Sequence, residues 1–192
     1  MDIGNGGNFE EGFYYLDVLQ LNAEHNDMAS KYFMKDILKL SVDDIVEMGK
    51  FDYIRMQHFF EHLTLEEGQI ALKNISKLLK PAGIITISTP DLRIHIKKYL
   101  NDGYKGWEGF KWWTNKRISE DAPNSYYFSI FAYSMPWEQH KWCYDYEGLE
   151  YQLKTSGKFR DVKELKLADQ LANIPFTHNR PEEDVCIIAT KK

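Results

Sequence analysis

The sequence predicts an α/β chain whose mostly parallel sheet is flanked by helices. Three observations carry this expectation. Short β-rich runs recur and end on acids, an amphipathic helix with a capping signature lies between two of the runs, and a continuous apolar run closed by proline suits a strand buried on both faces.

The chain opens "MDIGNGGN", a glycine-dense turn of the kind chosen where backbone must take positive φ or leave room for a ligand. "FYYLDV" (residues 13–18) is the next strand and carries Asp17 at its end, and "KYFMKDI" (31–37) repeats the design with Asp36. "FDYIRM" (51–56) is a further strand. Thr64 and Glu67 then form a capping box for a helix running to Lys80, with Ile70, Ala71, Ile75, Leu78 and Leu79 on one face. "PAG" stops that helix, and "IITIST" (84–89) follows as a buried parallel strand ended by Pro90. Ligands of parallel sheets bind outside the carboxyl ends of the strands, where Asp17, Asp36 and Gln57 fall.

Composition narrows the function. The 192 residues fit one domain with an insertion, and a net charge of -5 with both signs spread along the chain argues against a nucleic-acid partner. Cys143 and Cys186 stand far apart without a C-x-x-C pattern, which suits buried thiols in a reducing compartment. No signal peptide is evident and no apolar run approaches the ~18 residues a membrane span needs, so a cytoplasmic location is expected.

"DIGNGG", the acids at Asp17 and Asp36, "FDYIRMQHFFEHL", "LKPAGIITISTPD" and "HKWCYDYEGLEYQLKTSGKF" occur in the order of the motifs of class I S-adenosylmethionine-dependent methyltransferases, which the chain resembles. The nearest likeness is to a subgroup associated with polysaccharide and cell-surface biosynthesis. It spans the chain apart from a gap around residues 93–139. The resemblance implies a Rossmann-like sheet, S-adenosyl-L-methionine as cofactor and a small or carbohydrate-like acceptor. It assigns Asp2, Gly4, Asn5 and Gly6 to the methionine part of the cofactor and Asp17 to the ribose hydroxyls. Asp36 and Ile37 fall to the adenine, and Gln57 and His58 to the cofactor and the reacting methyl.

Two departures from that pattern stand out. Too few residues separate Gly6 from the next strand for the usual first helix, so loop amides alone would form the anion nest. The first strand should precede Asp2, where the chain has only Met1, so it is expected to be truncated. These departures would also suit a non-catalytic nucleotide- or protein-binding module on a degenerate form of the fold.

His58, Glu61 and His62 spell H-x-x-E-H, a zinc-peptidase motif when it lies on a helix. Here it follows a strand end, so a loop-bracing role is expected and no metal. Within the resemblance the alternative is a divalent-ion site in which His140 joins these three. Residues 93–146 hold all five tryptophans. They are expected to form an insertion or lid over the acceptor, or a small core or homodimer contact. Methyl transfer is an in-line displacement governed by positioning. A hydroxyl acceptor gains from a base, for which His140 and His58 are the candidates.

Overall fold

The protein's structure, a computed structural model, describes residues 1–7, 9–102, 140–166 and 180–192. Seven strands form one sheet in the order β3-β2-β1-β4-β5-β7-β6. They are β1 (Asp2–Ile3), β2 (Tyr15–Asp17), β3 (Tyr32–Met34), β4 (Phe51–Gln57), β5 (Leu79–Pro90), β6 (Phe159–Glu164) and β7 (Asp184–Lys191). The first five pair in parallel, and β7 runs antiparallel to both β5 and β6. The expected α/β architecture with a mostly parallel sheet is therefore the one observed.

The first strand corrects the expectation about its place. It does not precede Asp2 but consists of Asp2 and Ile3, which pair with Tyr15 and Leu16 on one side and Arg55 and Met56 on the other. Backbone bonds extend this pairing past both ends, from Arg55 N–H to the Met1 carbonyl (2.9 Å) and from Gly4 N–H to that of Leu16 (2.9 Å). The strand stops because Gly4 turns out of it at φ +70. As expected, no helix is seen between β1 and β2 among the described residues. β3 also ends earlier than expected, leaving Asp36 in the following turn, where its Oδ1 accepts from Leu38 N–H (2.9 Å).

Four α-helices are described: α1 (Val42–Met48), α2 (Leu65–Leu78), α3 (Leu92–Asp102) and α4 (Tyr146–Thr155). The Thr64–Glu67 capping box forms in both directions, with Thr64 N–H donating to Glu67 Oε2 (2.8 Å) and Glu67 N–H to Thr64 Oγ1 (3.2 Å). Helix α2 buries Ala71, Leu72, Ile75 and Leu78 against the sheet, while Ile70 faces outward and Leu79 already belongs to β5. Ile54, Met56, Ile85 and Ile87, with Leu149 and Leu153 of α4, complete the main core. The apolar strand run is thus the floor on which the polar ends of the strands are mounted. Among the described residues no helix is long and apolar enough to cross a membrane. Most of the expected insertion at 93–146, with Trp107, Trp112, Trp113 and Trp137, lies outside the described residues.

Candidate active site

Strand order reverses direction between β1 and β4, and it is at the carboxyl ends of these strands that a cavity of about 400 Å³ opens. Its wall includes Asp2, Gly4, Asn5 and Gly6 from β1 and the glycine turn, and Gln57 and His58 from the end of β4. Six of the residues named from the sequence are thereby brought together. Asp17 is tied to them through its carboxylate, whose Oδ2 accepts from Gly6 N–H (3.2 Å) and Oδ1 from Leu19 N–H (3.1 Å). Asp36 lies beyond the cavity wall, paired with Lys39 (3.1 Å). Ile37 turns inward: it is buried in the main core, and its carbonyl accepts from Asn74 Nδ2 (2.8 Å).

The opening glycines serve different ends. A Cβ on Gly4 would stand 2.1 Å from Phe59 Cδ2, so this residue is fixed by packing as well as by its positive φ. Gly6, at φ +57, has nothing within 4 Å of where a Cβ would be, which leaves its backbone open to an approaching molecule.

Three further residues of the cavity wall, Arg55, Glu10 and Arg180, were not anticipated from the sequence. Arg55 sits fully buried on β4, where its Nη2 meets Asp2 Oδ2 at 2.6 Å and Glu10 Oε1 at 2.9 Å. The guanidinium also lies 4.5 Å from the centre of the Phe13 ring. Burial works against this charge, but the two carboxylates outweigh it and hold Arg55 protonated more firmly than usual. Burial likewise raises the Asp2 pKa, an effect that Arg55 opposes. The available signal was an arginine set between the apolar Ile54 and Met56 of the strand, since a buried charge requires a partner.

His58 occupies a left-handed conformation, φ +52, directly after β4. Its Nε2 lies 2.8 Å from Asp184 Oδ2 on β7, and its Nδ1 lies 3.4 Å from Glu61 Oε1. Burial alone would lower its pKa. The carboxylates of Asp184 and Glu61 outweigh burial and raise it to about 10. His58 is therefore an imidazolium at neutral pH, a form that can give a proton but not take one.

Residues 140–144 return to the same end of the sheet. Lys141 and Trp142 N–H both donate to the Glu61 carbonyl (2.8 and 3.2 Å), and Leu92 N–H donates to that of Tyr144 (2.8 Å). This seats the His140 ring edge-on to that of His62, with centroids 4.9 Å apart. Glu61, His62 and His140 bring one potential ligand atom each to within 4.8 Å of one another, so these three could hold a metal ion. His58 is directed to Asp184 and does not complete that set. The helical H-x-x-E-H arrangement of a peptidase is not formed by these residues either, because His58 directly follows β4 in a left-handed conformation and His62 lies in a 3₁₀ turn (Phe60–His62). A cleft of about 10 Å³, lined by Glu61 and His140 together with Trp142 and His95, lies beside this group.

No protein-family model matches the chain, and no curated protein sequence matches it. Solved structures do. A SAM-dependent methyltransferase from Archaeoglobus fulgidus aligns over 99% of this chain and 84% of its own, with 20% identity and a TM-score of 0.50. PigF, with SAH, aligns over 99% and 49% at 13% identity and TM-score 0.54. An O-methyltransferase family protein from Burkholderia thailandensis aligns over 100% and 50% at 11% identity and TM-score 0.53. The chain spans about half the length of the last two. At these identities the likeness is one of fold: the α/β sheet is that of the Rossmann-like methyltransferases.

Proposed function

We propose that this chain is an S-adenosyl-L-methionine-dependent methyltransferase acting on a small or carbohydrate-like acceptor. The observation that carries this reading is the cavity at the β1–β4 reversal. Asp2 Oδ1 and Gln57 Oε1 are buried there without a hydrogen-bond partner, beside the open backbone of Gly6. Buried acceptors of this kind are costly unless a ligand satisfies them.

These residues fit the cofactor. Asp2 Oδ1 would accept from the ammonium of its methionine part, with Gly4, Asn5 and Gly6 forming the turn around it. Each Asp17 oxygen already accepts one loop N–H and retains a lone pair for the ribose diol. Asp36 would serve the adenine amine, and Ile37 supports its turn from the core side. When bound, the cofactor supplies an electrophilic methyl on a positively charged sulfur. The chain's own part is to hold the acceptor in line with it and to exclude water. Because His58 is already protonated, proton acceptance from a hydroxyl falls to His140, and His58 holds the end of β4 in place through Asp184 and Glu61. Trp142, 44% exposed two residues after His140, offers an aromatic face to a sugar ring or a flat acceptor.

Mass spectrometry of the purified protein for bound S-adenosylmethionine or its demethylated product tests the cofactor. Against a panel of hydroxyl acceptors, His140→Ala should leave cofactor affinity within about threefold, under ~0.7 kcal/mol. Turnover should fall roughly 10²-fold or more. Full turnover by this variant would remove His140 from the mechanism. Cofactor binding without methylation of any acceptor would leave the chain a binding module.

A further inference from the structure

The Arg55–Glu10 contact has a geometry that a purely structural ion pair does not need. Arg55 and Asp2 are directly paired in the sheet register, and both line the cavity. Asp2 presents an unpartnered oxygen to it. A carboxylate beside a guanidinium matches, charge for charge, the ammonium and carboxylate of an α-amino acid. In this structure the place of the amino-acid carboxylate at Arg55 is taken by Glu10 of the chain's own glycine turn, at 2.9 Å.

Glu10 is built to leave. Its main chain is fixed, since its N–H donates to Tyr15 Oη (2.5 Å) and its carbonyl accepts from the same hydroxyl. Tyr15 is fully buried. Its side chain, in contrast, is 33% exposed, while that of Arg55 is 2% exposed. Rotation about the side-chain bonds of Glu10 would therefore give up its contact with Arg55 Nη2 without moving the loop. No helix is seen between β1 and β2 among the described residues, so no helix N-terminus serves a carboxylate there; of the two guanidinium groups on the cavity wall, Arg55 and Arg180, Arg55 is the one paired in register with Asp2.

We propose that Glu10 is an intramolecular competitor of the ligand: its carboxylate occupies Arg55 until the α-carboxylate of an amino-acid-bearing nucleoside displaces it. The proposal rests on the cofactor reading above and adds to it a residue that lowers affinity. A self-ligand lowers apparent affinity by the fraction of molecules in which it is bound. If Glu10 is paired in about nine molecules of ten, its removal tightens binding about tenfold.

The sign of the effect separates this role from a structural one. Titration calorimetry on the full chain would use two probes, S-adenosylhomocysteine and 5′-methylthioadenosine, which shares the nucleoside but lacks the amino-acid end. Glu10→Gln is expected to bind S-adenosylhomocysteine about tenfold more tightly and 5′-methylthioadenosine within twofold of the wild type. Glu10→Asp, too short to reach Arg55 from the same main chain, should shift in the same direction and guards against a fault peculiar to glutamine. Unchanged or weaker binding of S-adenosylhomocysteine by both variants overturns the proposal, as does equal tightening of both probes. If the wild type binds neither probe, the cofactor reading falls and this inference with it. If it binds both and only the Glu10 effect is missing, the inference alone fails.

Discussion

Replacing Asp17 tests the cofactor assignment most directly, because the structure gives this carboxylate two duties that can be separated. It holds the glycine turn by accepting from Gly6 and Leu19 N–H, and it is proposed to take the ribose diol with the remaining lone pairs. Two bonds from hydroxyls to a charged acceptor are together worth about 2–4 kcal/mol. At about 1.4 kcal/mol per decade, Asp17→Ala should weaken S-adenosylhomocysteine binding roughly 30- to 1000-fold. The same change removes both loop acceptors from a buried site, at a cost to the unliganded fold of about 1–3 kcal/mol. Asp17→Asn keeps the shape and one acceptor oxygen but not the charge, so it should lose roughly half the binding energy and less of the stability. Calorimetry gives the affinities, and urea unfolding of the same samples gives the stabilities. Cooperative unfolding of both variants with affinities within threefold of the wild type would refute the assignment. A loss confined to Asp17→Ala, with Asp17→Asn at full affinity, would make Asp17 a loop residue only.

The two glycines of the opening turn should respond differently to alanine. Gly4→Ala meets Phe59 and a positive φ together, for about 2–4 kcal/mol of lost stability, whereas Gly6→Ala meets only the backbone strain, about 1–2 kcal/mol. Urea midpoints check this, and a larger loss at Gly6 would contradict the packing role of Gly4. Cys186 is 3% exposed, and burial, aided by the charges of Asp184 and Glu164, pushes its thiol up to about 12. Alkylation at pH 8 should therefore be on the order of 10³-fold slower in the folded protein than in urea. Rapid labelling of Cys186 under native conditions would show that β7 opens far more readily than its full register with β5 implies.

Elements with a local cause were legible in the sequence. The capping box of α2 depends on two residues three apart, and both of its bonds are present. β4 and the latter part of β5 were found because Ile54 and Met56, and Ile85 and Ile87, repeat apolar residues at the two-residue period of a strand. β1 was misplaced because a two-residue strand has no periodicity, and what makes it central is pairing with residues up to 53 positions away. The site followed the same division. Acids at strand ends were visible, but Ile37 shows that a residue next to such an acid can belong to the core instead. Glu10 could not be recognised without knowing that Arg55 points at its loop. The approach of His140 to Glu61 and His62 is likewise set by the two main-chain bonds to the Glu61 carbonyl, which no spacing in the sequence encodes.

The short first strand and the missing helix have a common physical consequence. A helix N-terminus offers an anion several backbone N–H groups with no mobile charge attached. Here β1 leads into a glycine turn, and the strong positive charge on the cavity wall beside Asp2 is the side chain of Arg55, rooted in β4. A buried guanidinium in a cavity is not tolerated bare, so a protein that recognises a ligand this way must neutralise the group while the ligand is absent. Asp2 supplies one carboxylate, and Glu10 supplies another through a side chain that can rotate while its main chain stays fixed. Competition between the loop and the ligand is then not an added regulatory device. It follows from moving anion recognition from main chain to side chain.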